Sequence, residues 1–245
     1  MASNPPAACC SRGFKHEGTA SGEIIKIGDF DAYITHPPTA TAKPEKAIII
    51  LTDILGLADN TKFVADDYAS RGYLTVVPDL FGGKALTMNQ FQGLDLRVWL
   101  KDYTPETVDP ITAATIKYMR ETLGVKRIGA VGYCFGAKYA TRLLKEGGGA
   151  NVGYVAHPSF VLPEELEAIK GPYAISAAES DRIFPANLRH ESEGILIKTG
   201  QPWQINLFSG VEHGFAVRGD LSNKVVKFAK EQAFVQAVTW FNEHL

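Results

Sequence analysis

The chain has 245 residues, of which 45% are hydrophobic, and its formal net charge is −2 at pH 7. This composition supplies a full apolar core for one large domain or two small ones. The near-neutral charge provides no basic surface for phosphates, so we expect no nucleic-acid partner. No apolar run is long enough to span a bilayer, and the N-terminus lacks the basic start and apolar core of a secretory signal, so we expect no membrane association.

The cysteines give a first indication of compartment. There are three, an odd number that does not suggest a disulfide framework and favours a reducing compartment such as the cytoplasm. Cys9 and Cys10 are adjacent, but no histidine or cysteine stands at the second half of a zinc-finger spacing. We therefore expect a thiol pair without a metal, within an irregular N-terminal extension of residues 1–22.

From residue 23 onwards the pattern predicts a single α/β domain, residues 23–245, with a mostly parallel central sheet flanked by helices. It begins with an antiparallel hairpin of residues 23–27 and 30–36 around Gly28-Asp29. The unbroken apolar run at 47–52 predicts a strand buried on both faces. Asp59 or Asn60 is expected to cap the helix that follows. The later predicted elements are strands at 73–79, 127–131, 152–156, 173–178 and 203–208, and helices at 96–101, 104–123, 137–145, 163–169 and 222–243.

The most informative stretch of the chain is Gly132-Tyr133-Cys134-Phe135-Gly136. It lies between a predicted strand and a predicted helix, which is the layout of a nucleophile elbow. In such an elbow the central residue lies on a strained turn, and the flanking glycines are needed because a Cβ would collide with the neighbouring strand or helix. The central residue is usually serine, but here it is cysteine.

A cysteine nucleophile needs a base, and the base needs an acid that orients it. In α/β-hydrolases the order along the chain is nucleophile, acid, histidine. His213 and His157 both follow predicted strands, and position favours His213 because the final strand-to-helix loop returns above the elbow. The acid should follow the strand at 173–178, where Glu179 and Asp181 both stand.

Stabilising the oxyanion of acyl transfer requires two backbone donors. One is expected to be the N–H of Phe135, at the start of a helix whose dipole also favours a thiolate. The second is expected from Ile54, in the loop after the strand ending at Thr52. Asp53 either brings a carboxylate near the sulfur, where it would tune the thiol, or caps a local turn.

At this point the residues resemble the dienelactone hydrolase family, which are cysteine hydrolases of α/β-hydrolase fold. The matching pieces are the elbow at 132–136, Asp181 in an Asp-x-x-x-Pro context, His213-Gly214-Phe215 and the oxyanion-loop sequence at 52–56. The resemblance covers residues 23–245. The N-terminal segments Asn4-Pro5-Pro6, Cys9-Cys10 and His16-Glu17-Gly18 are similar to those of fungal members.

The resemblance implies that Cys134 is the nucleophile, His213 the base and Asp181, in preference to Glu179, its acidic partner. Family members can carry glutamate where this chain has Asp53, and that glutamate is held to partner the resting thiol or the base.

Cationic ligands for a substrate carboxylate are also implied by the family. Arg218 is the expected ligand, and Lys84 is the nearest cation in the loop corresponding to a second one. Phe81 and Trp99 are predicted to line a substrate pocket, with core packing as the equal alternative.

We therefore predict a hydrolase that cleaves a small ester or lactone through an acyl-thioester on Cys134. It resembles carboxymethylenebutenolidases, and it is expected to need no metal or organic cofactor. The same fold used for lactonisation, transacylation or isomerisation in a biosynthetic pathway is one alternative, and a non-catalytic thiol sensor is another. Monomer and homodimer both remain open.

Overall fold

The computed structural model of the protein describes residues 2–11, 13–38, 44–88 and 95–245. Within these residues eight strands form one sheet. The strands are β1 (Glu23–Ile27), β2 (Phe30–Thr35), β3 (Lys46–Leu51), β4 (Leu74–Pro78), β5 (Arg127–Tyr133), β6 (Val152–Ala156), β7 (Tyr173–Ser180) and β8 (Trp203–Glu212). Their order across the sheet is β1-β2-β4-β3-β5-β6-β7-β8.

Strand direction matches the predicted α/β fold. β1 and β2 form an antiparallel hairpin whose turn contains Gly28 at a φ of 59°, and β2 pairs antiparallel with β4. Every pairing from β4 through β8 is parallel. The prediction of a mostly parallel sheet with an N-terminal antiparallel hairpin is therefore confirmed.

Helices connect the parallel strands, as right-handed crossovers require. They are α1 (Asp59–Ser70), α2 (Leu96–Trp99), α3 (Pro105–Glu121), α4 (Gly136–Arg142), α5 (Pro163–Glu167), α6 (Ala186–Thr199), α7 (Phe215–Arg218) and α8 (Lys224–His244), with 3-10 turns at Ala8–Ser11 and Leu100–Asp102. None of the described helices combines the length and apolarity needed to cross a bilayer.

Two details differ from the sequence predictions. The N-cap position of helix α1 is Ala58, whose side chain makes no capping hydrogen bond, and Asp59 is already the first helical residue. Asp59 instead pairs with Lys15 at 3.0 Å, and Asn60 accepts the N–H of His16 at 2.8 Å, so contacts with the N-terminal residues occupy both side chains.

Helix α6 was absent from the predicted elements. The physical reason is its weak apolar face, since only Ser192, Ile195 and Leu196 are buried along its length. A helix with so little periodic burial gives almost no amphipathic signal.

The sheet is buried on both faces, as the apolar run at β3 predicts. Ile49 and Leu51 point into a cluster that also contains Ile116 of α3 and Leu166 of α5, among others. Ile48 and Ile50 point into the opposite cluster with residues of α1 and α8. Alternate side chains of one strand therefore enter different layers, which is the three-layer arrangement of doubly wound proteins.

Strand order reverses beside β3. The chain passes from β3 to β4 on one side and then crosses to β5 on the other, before continuing outwards to β8. In open parallel sheets the crevice at such a reversal, at the carboxyl ends of the strands, is where ligands bind. The ends of β3 and β5 carry Asp53 and Cys134.

Candidate active site

The turn between β5 and α4 is the strained elbow that the sequence predicts. Cys134 has a φ of 50°, in the left-handed region that non-glycine residues rarely occupy. A Cβ on Gly132 would lie 2.6 Å from Ala137 Cα, and one on Gly136 would lie 2.0 Å from the Leu51 carbonyl oxygen. Both flanking positions therefore need glycine for close packing.

The close contact at Gly136 also fixes the first turn of α4 against the end of β3. Phe135, which follows the cysteine, and Ile54, in the loop after β3, are both fully buried at this junction. The backbone N–H groups of these two residues are the predicted oxyanion donors. Their role remains a prediction, but the fold brings the two loops that carry them together.

The acid and the base come directly after neighbouring parallel strands. Asp181 follows β7, and His213 follows β8. The His213 Nδ1 and Asp181 Oδ2 atoms are 2.8 Å apart, and both side chains are almost completely buried. Asp181 Oδ1 accepts the N–H groups of Ile183 at 2.8 Å and Phe184 at 3.1 Å. The carboxylate is thus held rigidly, and it orients the ring so that Nε2 faces away from it.

Neither alternative residue is placed for these roles. Glu179 is exposed and accepts the N–H of Gly210 at 2.7 Å. The His157 ring is buried, packs edge-on to His213 at 4.9 Å between ring centroids, and has no carboxylate partner among the described residues. Burial, followed by the nearby charge of His213, lowers the pKa of His157 well below its usual range, so this ring is neutral.

The thiol and the imidazole are neighbours, although His213 Nε2 makes no hydrogen bond within the described residues. The Cys134 Sγ and a His213 ring nitrogen lie within 4.8 Å of each other. Burial raises the pKa of Cys134, but the hydrogen bond with Cys10 and the charges of His213 and Arg218 outweigh it and hold that pKa well below its usual range. Burial lowers the pKa of His213, yet the Cys134 thiolate and Asp181 raise it to about 10. These directions favour a thiolate–imidazolium pair.

Residues 2–11, here called the N-terminal segment, lie across Cys134. Cys10 and Cys134 are both completely buried, and their Sγ atoms are 3.4 Å apart. The segment is anchored by backbone hydrogen bonds from Ser3 N–H to the Val161 carbonyl at 3.0 Å and from Asn4 N–H to the Ile183 carbonyl at 2.7 Å. An extension expected to be irregular therefore contains one 3-10 turn and covers the sulfur.

Ser159 is a further neighbour of the sulfur that sequence reasoning missed. Its hydroxyl lies 3.3 Å from Cys134 Sγ, and its N–H donates to the Cys134 carbonyl at 3.0 Å. The loop around it contains His157 and Phe160, which also have positive φ angles of 39° and 63°. Strained non-glycine residues of this kind cluster at functional sites. A serine in a loop gives no such signal in a sequence.

Asp53 and Arg218 form a buried ion pair beside the thiol, with their side chains 0% and 1% exposed. Asp53 Oδ1 also accepts the Leu55 N–H at 2.9 Å. The carboxylate therefore caps a local turn and lies near the sulfur, so both sequence interpretations describe part of its environment. Burial raises the pKa of Asp53, although Arg218 opposes the shift.

The predicted substrate residues lie in two places. Arg218 and His213 line a cavity of about 300 Å³, together with Cys9, Gly13 and Phe14, among others. Cys134 is absent from the lining of this cavity within the described residues.

The other three predicted substrate residues are absent from the lining of this cavity within the described residues. Phe81 packs against Trp99 and Phe135, each at 5.2 Å between ring centroids. Trp99 Nε1 donates to the Lys84 carbonyl at 3.3 Å, and the Lys84 side chain is exposed. Phe81, which is buried, supports the elbow through Phe135.

A doubly wound sheet with a nucleophile elbow at its switch point and an aspartate–histidine pair on the last two strands defines the α/β-hydrolase class. The sequence profile of the dienelactone hydrolase family matches residues 30–245. The chain is 50% identical over 246 residues to "Hydrolase pyvD" of Aspergillus violaceofuscus, covering 100% of this chain and 99% of that protein. It is 33% identical over 245 residues to "Dienlactone hydrolase 1" of Gibberella moniliformis, covering 97% and 94%. This chain belongs to the dienelactone hydrolase family.

Solved structures agree on the fold. The "Dienelactone Hydrolase-like Promiscuous Phospotriesterase P91" from metagenomic libraries superposes with a TM-score of 0.75 over 92% of this chain and 98% of that chain, at 15% sequence identity. A dienelactone hydrolase structure from Klebsiella pneumoniae gives a TM-score of 0.73 over 91% and 98%, at 13% identity. At these identities the likeness concerns the fold.

Proposed function

We propose that this hydrolase cleaves an ester or lactone bond of a small molecule through a Cys134–His213–Asp181 triad. The observation that carries the proposal is a buried carboxylate hydrogen-bonded to an imidazole, with a ring nitrogen of that imidazole within 4.8 Å of a thiol on a strained elbow. The 2.8 Å contact between Asp181 and His213 supplies the orientation that acyl transfer needs. The catalytic unit is residues 23–245, and a free-thiol nucleophile suits a reducing compartment such as the cytoplasm.

In the first half-reaction the Cys134 thiolate attacks the carbonyl carbon, and a C–S bond forms. The electron pair moves onto the carbonyl oxygen, where the N–H groups of Phe135 and Ile54 stabilise it. Collapse of this intermediate breaks the C–O bond, and the proton on His213 Nε2 passes to the leaving alkoxide. The product is an acyl-thioester on Cys134 and a neutral His213.

In the second half-reaction His213 Nε2 takes a proton from water, and the resulting hydroxide attacks the thioester carbon. The C–S bond breaks, the carboxylic acid leaves, and the thiolate–imidazolium pair is restored. Asp181 stays ionised throughout and stabilises the positive ring. No step uses a metal or an organic cofactor.

The residues around the triad receive supporting roles in this proposal. Arg218 lines the cavity beside His213 and is the proposed ligand of a substrate carboxylate, which would compete with Asp53 for its guanidinium. Asp53 tunes the thiol by holding that cation near the sulfur. Phe81 and Trp99 pack together beside Phe135 of the elbow, and the neighbouring Lys84 provides an exposed cation for the substrate.

Substrate entry requires the N-terminal segment to move, because a reacting carbonyl must come within about 3–3.5 Å of a sulfur that is now fully covered. The same cover would shield the acyl-thioester from water. This burial favours transfer of the acyl group to a bound alcohol as the second candidate, with lactonisation as its intramolecular form. Adding alcohols to the assay and measuring the ratio of new ester to free acid distinguishes hydrolysis from acyl transfer.

A panel of aryl esters and lactones tests the proposal against wild type, Cys134→Ser and Cys134→Ala. We expect turnover of activated esters and lactones by wild type, and its loss in Cys134→Ala. Unchanged turnover in Cys134→Ala, with retained secondary structure, would overturn the proposed role of this residue.

A further inference from the structure

Three metal-ligating side chains converge beneath the N-terminal segment. They are Cys10, Cys134 and His213, all buried, and one ligand atom from each lies within 4.8 Å of the other two. They come from the N-terminal segment, the elbow and the loop after β8, so no local spacing in the sequence predicts their meeting. We propose that these three side chains bind a thiophilic divalent cation, represented by Zn²⁺, and that the bound ion locks the segment over the nucleophile.

The spacing of the donor atoms fits such an ion. Zinc binds thiolates at about 2.3 Å and imidazole nitrogens at about 2.0–2.1 Å in tetrahedral geometry, so neighbouring donors lie roughly 3.4–3.8 Å apart. The Cys10 and Cys134 sulfurs are already 3.4 Å apart. Zinc would require these sulfurs to lie about 3.8 Å apart and the His213 nitrogen, which is within 4.8 Å of both, to lie about 3.5 Å from each. Two cysteines with one histidine are a known zinc ligand set.

The outer contacts of His213 also match those of a metal ligand. A metal-bound histidine usually gives its other ring N–H to a carboxylate, which fixes the ring and raises its basicity. His213 Nδ1 is 2.8 Å from Asp181 Oδ2, and Asp181 is in turn held by two backbone N–H groups. Nε2 is buried and makes no hydrogen bond within the described residues.

The local charges are compatible with a divalent ion. Binding would displace the Cys10 thiol proton and the His213 Nε2 proton, leaving two thiolates and a neutral imidazole that balance the charge of the cation. The nearest other cation, Arg218, is neutralised by its ion pair with Asp53.

The ion would act as a reversible inhibitor, and this consequence rests on the proposed function. Coordination occupies the lone pairs of the Cys134 sulfur and the His213 nitrogen, which the acyl-transfer steps require. It would also tie Cys10, and with it the N-terminal segment, to the elbow. Metal release would then free the nucleophile and allow the segment to move.

Co²⁺ titration of the reduced full-length chain tests binding without any substrate. We expect one Co²⁺ per chain, a thiolate-to-cobalt charge-transfer band, d–d bands typical of tetrahedral geometry, and displacement of Co²⁺ by Zn²⁺. Cys10→Ala and Cys10→Ser should weaken binding by about tenfold or more, since removing even an outer partner of a metal ligand costs about 10–100-fold. Cys9→Ser is the comparison variant: Cys9 lies outside the trio but hydrogen-bonds Cys10, so its loss of affinity should be smaller than that of the Cys10 variants.

Two results of the cobalt titration would contradict the proposed metal site. Absence of a charge-transfer band in wild type, or equal loss of affinity in the Cys9 and Cys10 variants, would overturn the site. Circular dichroism of each variant checks folding, and the two different Cys10 replacements guard against a local packing effect. A reductant without metal affinity excludes a Cys10–Cys134 disulfide as the cause.

Inhibition is measured separately, with each variant compared with its own chelator-treated rate. Zn²⁺ should inhibit ester turnover by wild type and Cys9→Ser at concentrations that leave Cys10→Ala active. Cobalt binding without ester turnover would refute the proposed function and leave the metal site standing. Turnover without cobalt binding would refute the metal site alone.

Discussion

Replacing Arg218 by methionine removes the counter-charge from a carboxylate that the fold has taken out of water. Asp53 and Arg218 are 0% and 1% exposed, and the Leu55 N–H is the other described hydrogen-bond partner of the carboxylate. Breaking a buried ion pair by removing one partner costs about 3–5 kcal/mol. In a chain of this size each kcal/mol lowers Tm by about 2–4 °C, so we expect a decrease of roughly 6–20 °C.

The control is the double variant Asp53→Asn/Arg218→Met, in which neither buried charge remains. The amide oxygen of the substituted side chain would still accept the Leu55 N–H, so the double variant should recover at least half of the lost stability. The deficit of the single variant should also depend on pH. A carboxyl group whose folded pKa is raised binds its proton more readily in the folded state, so stability falls as pH rises above the unfolded pKa.

The assay is thermal unfolding of wild type, both single variants and the double variant, near pH 5 and near pH 8. The deficit of Arg218→Met should be larger near pH 8, where uncompensated Asp53 is forced to ionise. A single-variant loss below about 1 kcal/mol would show that the pair is not isolated from water as described. A double variant as unstable as the sum of the single variants would refute the ion-pair explanation.

Three further predictions concern the triad and the elbow. Asp181→Asn places an amide against His213 Nδ1 and favours the wrong tautomer, so we expect kcat to fall by up to about 10⁴-fold. The pH profile of kcat/KM should be a broad bell, because the pKa of Cys134 lies well below its usual range and that of His213 is raised to about 10. The raised pKa of His213 contributes to the free energy of unfolding; this contribution is full below the unfolded pKa near 6.5 and is lost as pH rises through about 10. The lowered pKa of Cys134 acts in the opposite sense, and its contribution is lost as pH falls through that pKa. Gly136→Ala should destabilise by about 1–3 kcal/mol or more, because the new Cβ would lie 2.0 Å from a backbone carbonyl oxygen.

Each of these has a control and a contrary outcome. For Asp181, the control is Glu179→Gln, which should keep kcat within a few-fold; equal losses would reopen the choice of acid. For the pH profile, a rising limb at the ordinary thiol pKa of about 8.5 would exclude a resting thiolate–imidazolium pair of Cys134 and His213. For the elbow, Gly194→Ala in α6 meets no atom within 4 Å and should be neutral or stabilising by up to about 1 kcal/mol. Equal effects at Gly136 and Gly194 would contradict the packing argument.

Sequence patterns predicted the features that are set by neighbouring residues in the chain, such as strand burial and the turn at the elbow. The unalternating run at β3 indicated a strand buried on both faces, and the paired glycines around Cys134 indicated an elbow because neither position tolerates a Cβ. His213 was favoured because it follows the last strand in hydrolase order, whereas Asp181 was preferred to Glu179 because of the resemblance to the dienelactone hydrolase family. Helix α6 was missed because few of its residues are buried.

The rest depends on tertiary contacts that no local pattern encodes. The N-terminal segment carries turn-forming residues and no periodicity, yet its backbone bonds to Val161 and Ile183 bring Cys10 against the nucleophile. The pairing of Asp53 with Arg218 joins residues 165 positions apart. Such a pairing is visible only when the end of β3 and the segment before α8 have been brought together.

The central claim is that Cys134 becomes acylated during turnover. The most direct measurement is rapid acid quenching during hydrolysis of an activated aryl ester by the wild-type protein, followed by peptide mass spectrometry. We predict an acyl adduct on the peptide containing Cys134, released by hydroxylamine and absent in Cys134→Ala. Turnover with the adduct on Cys10 or Ser159 instead, or full activity in Cys134→Ala, would contradict the account.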